Sequence, residues 1–183
     1  MELIIILAIL VVLGLFLAGI YNRLVSLRQN VNRGVADIDA QLRQRHDLIP
    51  NLVSTVQGYA GHEQTTLENV IAARNKAAQG AISSADEAQL KIALDKLLAL
   101  AEAYPDLKAS ANFQSLQEEL ANVEDKLAAA RRALNAAVSR YNTGIESFPA
   151  VLFAGMLGFQ QADFHRLDDS EQGVVDQVPE VKF

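Results

Sequence analysis

The chain has 183 residues, half of them hydrophobic, with a formal net charge of −6 and no cysteine. The absence of cysteine excludes disulfides, thiolate metal ligands, thiol nucleophiles and a cysteine-linked lipid anchor. The acidic balance argues against nucleic acid as a partner, since a phosphate backbone calls for a basic face.

From Leu3 to Ile20 the sequence LIIILAILVVLGLFLAGI holds no charge. At about 1.5 Å per residue this run spans roughly 27 Å as a helix, close to the hydrocarbon thickness of a bilayer. A cleaved signal peptide carries basic residues before its apolar run, whereas only Glu2 precedes this one. A retained transmembrane helix is therefore expected over residues 1–21. Arg23, Arg28 and Arg33 follow the span and no basic residue precedes it. The positive-inside rule then puts the N-terminus outside and the remaining chain in the cytoplasm. Gly14 and Ala18 form one small-xxx-small spacing, a candidate packing face for the anchor.

Beyond Tyr21 the series Leu24, Leu27, Val31, Val35, Ile38, Leu42, His46, Ile49, Val53, Val56, Ala60 repeats at the period of a straight α-helix. One helix is expected to run from the membrane to about Gln57 and to stop at Gly58 and Gly61. A shorter helix follows, from about His62 to Ala78. Ser84 and Glu87 have the spacing of a capping box and open a third, which is expected to end at Tyr104 before Pro105. The last helix starts near Asn112 and carries Phe113, Leu116, Leu120, Val123, Leu127, Ala130, Leu134, Val138, Tyr141, Ile145 and Phe148, stopping before Pro149. Short connections make successive helices antiparallel. The expected fold is all-α, with an N-terminal transmembrane helix continuing into an antiparallel three- to four-helix bundle of two long and two short helices. Residues 22–148 form the bundle, and residues 149–183 an apolar membrane-proximal segment and an acidic tail.

The stretches VADIDAQLRQRHDLIPNLVSTVQGYAGHE, AEAYPDLKASANF and RRALNAAVSRYNTGIESFP resemble the LemA family, and the likeness runs from YNRLVSLR to VPEVKF. Two positions depart from the pattern: Leu134 stands where a tyrosine is usual, and Ala150-Val151 where Ser-Asn is usual. The resemblance implies a bacterial, membrane-anchored antiparallel helical bundle in the inner (cytoplasmic) membrane. It brings no catalytic residues.

The cluster RQRHDLIPN at residues 43–51 has the residue types of an active site. His46, however, sits on the apolar stripe, where a lone histidine is more often hydrogen-bonded inside a bundle than bound to metal. No H-x-x-x-H, glycine-rich phosphate loop or G-x-S-x-G is present. No cofactor is expected, and the chain is not expected to be an enzyme. Pro50 cannot donate to the His46 carbonyl four residues back, so a kink and a polar layer are expected around His46 and Pro50. If Asn22 lies level with Ser147, Arg45 faces Glu124, and Asp37 and Asp39 face Arg132 and Arg131. The alternative for such charges is pairing within one helix, as Asp39 with Arg43.

FPAVLFAGMLGF, residues 148–159, is uncharged and too short to cross a bilayer. Phe148, Leu152, Phe153, Met156 and Phe159 are candidates for contact with the membrane interface or with a neighbouring subunit, the alternative being that they close the bundle's own end. The function expected from these features is self-assembly or membrane scaffolding, with the lipid bilayer and further copies of the chain as partners. An envelope-stress or signalling adaptor that recruits another membrane protein is the alternative.

Overall fold

Fifty-six consecutive residues, Glu2–Gln57, form one helix, α1. The computed structural model describes residues 1–79 and 84–165. Four more helices follow: α2 (Gln64–Gln79), α3 (Ser84–Ala101), α4 (Pro105–Lys108) and α5 (Ala111–Glu146). A single 3-10 turn, Ala150–Leu152, comes after α5. The fold is all-helical, and no strand occurs among the described residues.

The boundaries follow from local chemistry. α1 ends at Gln57, where Gly58 removes the entropic advantage of continuing. Pro105 differs from its expected role as a stop signal. It occupies the first turn of α4, where its fixed φ fits and its missing N–H costs nothing, and Tyr104 before it is extended (φ −119°, ψ 91°). The Ser84 side chain lies outside the described residues, so the expected capping box is seen only from Glu87.

The chain packs as two compact units. Both α1 and α5 contribute to each unit. The first unit contains Met1–Asp37 and Ala129–His165. Its core is Leu24, Tyr141, Ile145, Ala150, Ala154 and Phe159. Here α1 and α5 run antiparallel and very close. A Cβ placed on Gly34 would lie 3.2 Å from the Leu134 Cα, and one on Gly144 would lie 2.7 Å from Leu27 Cδ1. The buried position on this turn is Gly34, while Val35, expected on the stripe, is 45% exposed. Two asparagines then hold the chain that follows α5. Asn142 donates to the Ala162 carbonyl at 2.9 Å and accepts from its amide at 2.9 Å. One heptad earlier, Asn135 does the same with the backbone of His165, at 3.0 and 2.9 Å.

The described part of the second unit lies within Ile38–Ala128. Its core gathers Ile49, Leu52 and Val56 of α1, Leu67 and Val70 of α2, Leu90, Leu94 and Leu97 of α3, Leu107 of α4, and Phe113 and Leu120 of α5. On α3 the buried positions fall at 87, 90, 94, 97 and 101, the three-and-four alternation of a helix face. The first of them is a glutamate.

Along the N-terminal part of α1, every large apolar side chain from Leu3 to Phe16 is at least 50% exposed. α1 is the one helix among the described residues long and apolar enough to cross a membrane.

The closeness at Gly34 generates a test. Gly34→Val is expected to overpack against the Leu134 backbone and cost about 1–3 kcal/mol, read as a lower midpoint in thermal or denaturant unfolding. Gly34→Ala is expected to cost less, because alanine recovers about 1 kcal/mol of helix propensity.

Candidate functional site

The only charged or polar side chains buried among the described residues are Arg45, His46 and Glu87, and they meet in the second unit. Successive residues on α1, Arg45 and His46, face α3, where Glu87 occupies the first buried position. Arg45 Nη2 pairs with Glu87 Oε2. Its Nη1 reaches Glu124 Oε1 on α5 at 2.6 Å. His46 Nε2 lies 3.0 Å from Glu87 Oε1, so both oxygens of the glutamate are engaged. The Arg45 Nε, also buried, meets no protein acceptor.

The surroundings tie this cluster to α2. Arg74 Nε donates to the His46 backbone carbonyl at 3.2 Å, and its Nη2 lies 3.9 Å from Asp47. That carbonyl is the one Pro50 leaves without its helical donor. The helix continues through Pro50 while a side chain from another element satisfies the acceptor. Lys76 and Asp86 join α2 to α3 at 2.8 Å.

Burial alone raises the Glu87 carboxyl pKa. The hydrogen bond with His46 and the charge of Arg45 oppose that, joined by the charge of His46 and the hydrogen bond from Arg45, and the net position is below the ordinary glutamate value. Glu87 also lies in the first turn of α3, where the helix dipole favours a negative charge. Chemically the cluster is closed. Arg45 and Glu87 side chains are 2% and 5% exposed, and a substrate has no approach to either. No group of three or more metal-ligating side chains occurs among the described residues. The groove of about 550 Å³ between the end of α1 and α2 has Glu68 as its one ionisable lining residue, and Gln64 already binds it.

The remaining candidates distribute as follows. Asp39 binds Arg43 on its own helix, and Asp37 and Arg132 are exposed with no ion pair among the described residues. For Asp39 the expected pairing with α5 gives way to a local i,i+4 contact, favoured because Arg43 is already within reach on the next turn, and Asp37 makes neither. Arg131 is half-buried and its Nε has no partner. Gly14 faces open space, and Ala18 lines a small cavity with Phe153 and Met156. Phe148, Leu152 and Met156 are exposed and Phe153 half-buried. Phe159 is corrected from a surface contact to a core residue. It is 3% exposed, edge-to-face with Tyr21 at 5.5 Å, and the Arg28 guanidinium stands 5.2 Å from its ring centre. Sequence reasoning missed Glu87 as a site residue, although extending the α3 stripe one turn back from Leu90 reaches it. It also missed Arg74, Asn135 and Asn142, each of which binds a backbone atom that no pattern of side chains announces.

A family model described as the LemA family matches residues 34–183, the stretch that contains this cluster and both asparagines. The chain belongs to the LemA family. Among LemA-family relatives, Protein LemA of Metamycoplasma hominis is 24% identical, over 82% of this chain and 73% of that protein. Magnetosome protein MamQ of Magnetospirillum gryphiswaldense is 22% identical over 79% of this chain, and Magnetosome protein MamQ 1 of Paramagnetospirillum magneticum is 24% identical over the same share. The match spans 64% of the length of these magnetosome relatives.

The buried network generates two tests. Glu87→Gln is expected to destabilise by about 3 kcal/mol, because it leaves Arg45 buried with one carboxylate fewer. Arg45→Met with Glu87→Leu is expected to recover most of that loss, since an apolar pair of similar volume needs no compensating charge. Because the Glu87 pKa is lower in the folded state, its stabilisation is present above the ordinary glutamate range and is lost as pH falls through the folded value. Denaturant midpoints measured from neutral to acid pH are expected to fall less steeply in Glu87→Gln than in the parent.

Proposed function

We propose that this LemA-family chain is a non-enzymatic, membrane-anchored helical protein that acts by self-assembly or as a membrane scaffold. The observation that carries the reading is the uncovered apolar run of α1, exposed from Leu3 to Phe16. Water disfavours an apolar surface of that length, and a bilayer is the solvent whose thickness it matches. The buried polar cluster among the described residues is occupied with holding helices together, which leaves a binding or assembly role as the simplest use of the fold. The relatives are named LemA and magnetosome protein, names that carry no reaction. Gly14 on the lipid-exposed part of α1 offers a close-approach point for a second anchor.

Arg23, Arg28 and Arg33 support an anchor with its N-terminus outside and the helical units in the cytoplasm. An alkaline phosphatase fused after Phe183 is expected to be inactive, and a cytoplasmic reporter at the same point active; a fully active phosphatase would overturn this orientation. Electron microscopy of the detergent-purified protein tests the mode of action. Large regular particles are expected for self-assembly. Monodisperse monomers would favour an adaptor that recruits another membrane protein.

A further inference from the structure

The segment after α5 is two-faced. Ala150, Ala154 and Phe159 point into the core of the first unit, against Leu24, Tyr141 and Ile145. On the other side Phe148, Val151, Leu152, Met156 and Leu157 are exposed, Phe148 at 81% and Met156 at 88%. These five form an uncharged apolar surface that no element among the described residues covers.

Its position fixes what it meets. Leu17, Ala18 and Tyr21 of α1 line one cavity of about 330 Å³ together with Phe153, Met156 and Leu157. Leu17 and Ala18 belong to the uncharged run that ends at Ile20. Side chains sharing a small cavity with them stand at the same depth, the last turn of the apolar span.

Much of the segment's backbone is also hydrogen-bonded within itself or to the end of α5. The amides of Val151, Leu152, Phe153 and Ala154 donate to Ser147, Pro149, Ala150 and Ala150, and that of Leu157 donates to Phe153, over 2.8–3.2 Å. Gly158, at φ +75°, closes the turn: its amide reaches the Gly155 carbonyl at 3.2 Å, and the Phe159 amide reaches the Ala154 carbonyl at 2.9 Å. This is the bond pair of a Schellman closure, which needs a left-handed residue at that position. Internal hydrogen bonds of this kind lower the cost of bringing the segment into the headgroup and acyl boundary.

We propose that residues 148–159 form a membrane foot, a second attachment in which Phe148, Leu152 and Met156 insert into the lipid interface beside the exit of α1. The inference rests on the anchor reading above and adds a lipid contact that the anchor does not require. The foot sets one face of the first unit against the bilayer, so that the anchor cannot swivel freely at Tyr21. Arg23, exposed one turn beyond the apolar span, is placed to meet lipid phosphate at the same level.

The chain has no cysteine, so single probes can be placed in the full-length protein without removing any native thiol. Leu152→Cys and Met156→Cys, each labelled with an environment-sensitive fluorophore, would be compared with Leu10→Cys in the span and Glu119→Cys on an exposed face of α5. All are reconstituted in phosphatidylcholine–phosphatidylglycerol vesicles. The expected result at 152 and 156 is blue-shifted emission, quenching by a nitroxide near the lipid headgroups, and little quenching by aqueous iodide. Leu10→Cys is expected to respond to a nitroxide deep in the acyl chains, and Glu119→Cys to iodide alone. If the Leu10 probe lies in lipid while 152 and 156 respond only to iodide, the foot is wrong and the anchor stands. Probes at 152 and 156 shielded from both quenchers would mean that a second copy of the chain covers the surface, which also overturns the proposal. An aqueous Leu10 probe would remove the anchor reading and the foot with it.

Discussion

A guanidinium that is almost wholly buried must be met by carboxylates, and Arg45 is met by two, from different helices. The cost of leaving such a charge unpaired, several kcal/mol, exceeds what any one apolar contact in the second unit contributes. This gives the network more weight in specificity than in net stability. An apolar core of Leu, Ile and Val tolerates small slips along the helix axes. A shift of α3 or α5 by one turn would separate Glu87 or Glu124 from Arg45 by about 5.4 Å. The register of α1, α3 and α5 within this unit thus follows from a pair of ionic contacts. His46 and Arg74 complete the arrangement: one occupies the second oxygen of Glu87, the other the carbonyl freed by Pro50.

In the first unit the determinant is size rather than charge. Gly34 and Gly144 let α1 and α5 approach until side chains rest against the opposite helix, and the two asparagines on α5 hold the following chain through paired bonds to its backbone. Paired amide contacts of this kind imitate one rung of a β-ladder. They order an extended segment on a helix surface without requiring a sheet. Phe159, clasped between Tyr21 and Arg28, is the apolar anchor of the same segment.

The two ends of α1 therefore answer to different solvents. Toward the N-terminus every large side chain is left outward, as suits hydrocarbon, where apolar groups gain nothing by packing inward. Toward the C-terminus the helix buries one stripe and exposes the rest, as suits water. The segment after α5 combines both habits within twelve residues, with Ala150, Ala154 and Phe159 inward and Phe148, Leu152 and Met156 outward.

Periodicity and solvent preference are properties of a sequence, and what depends on them was legible. The uncharged run from Leu3 to Ile20, the 3.6-residue stripes and the glycine at position 58 were enough for an all-helical chain with a long apolar N-terminal helix. The position of His46 on a stripe was enough to place it in a core. Partners across space are not a property of one segment. Asp39 had two possible arginines, and only packing decided for Arg43, because a neighbour one turn away is reached at a smaller entropic cost than one on another helix. The displacement of Val35 by Gly34 depended on how near α5 could come, and the role of Glu87 on what faced it from α1. The burial of Phe159 depended on Tyr21 and Arg28, remote in sequence. Such contacts join residues brought close by folding alone, and there the tertiary structure, through distance and desolvation, made the choice.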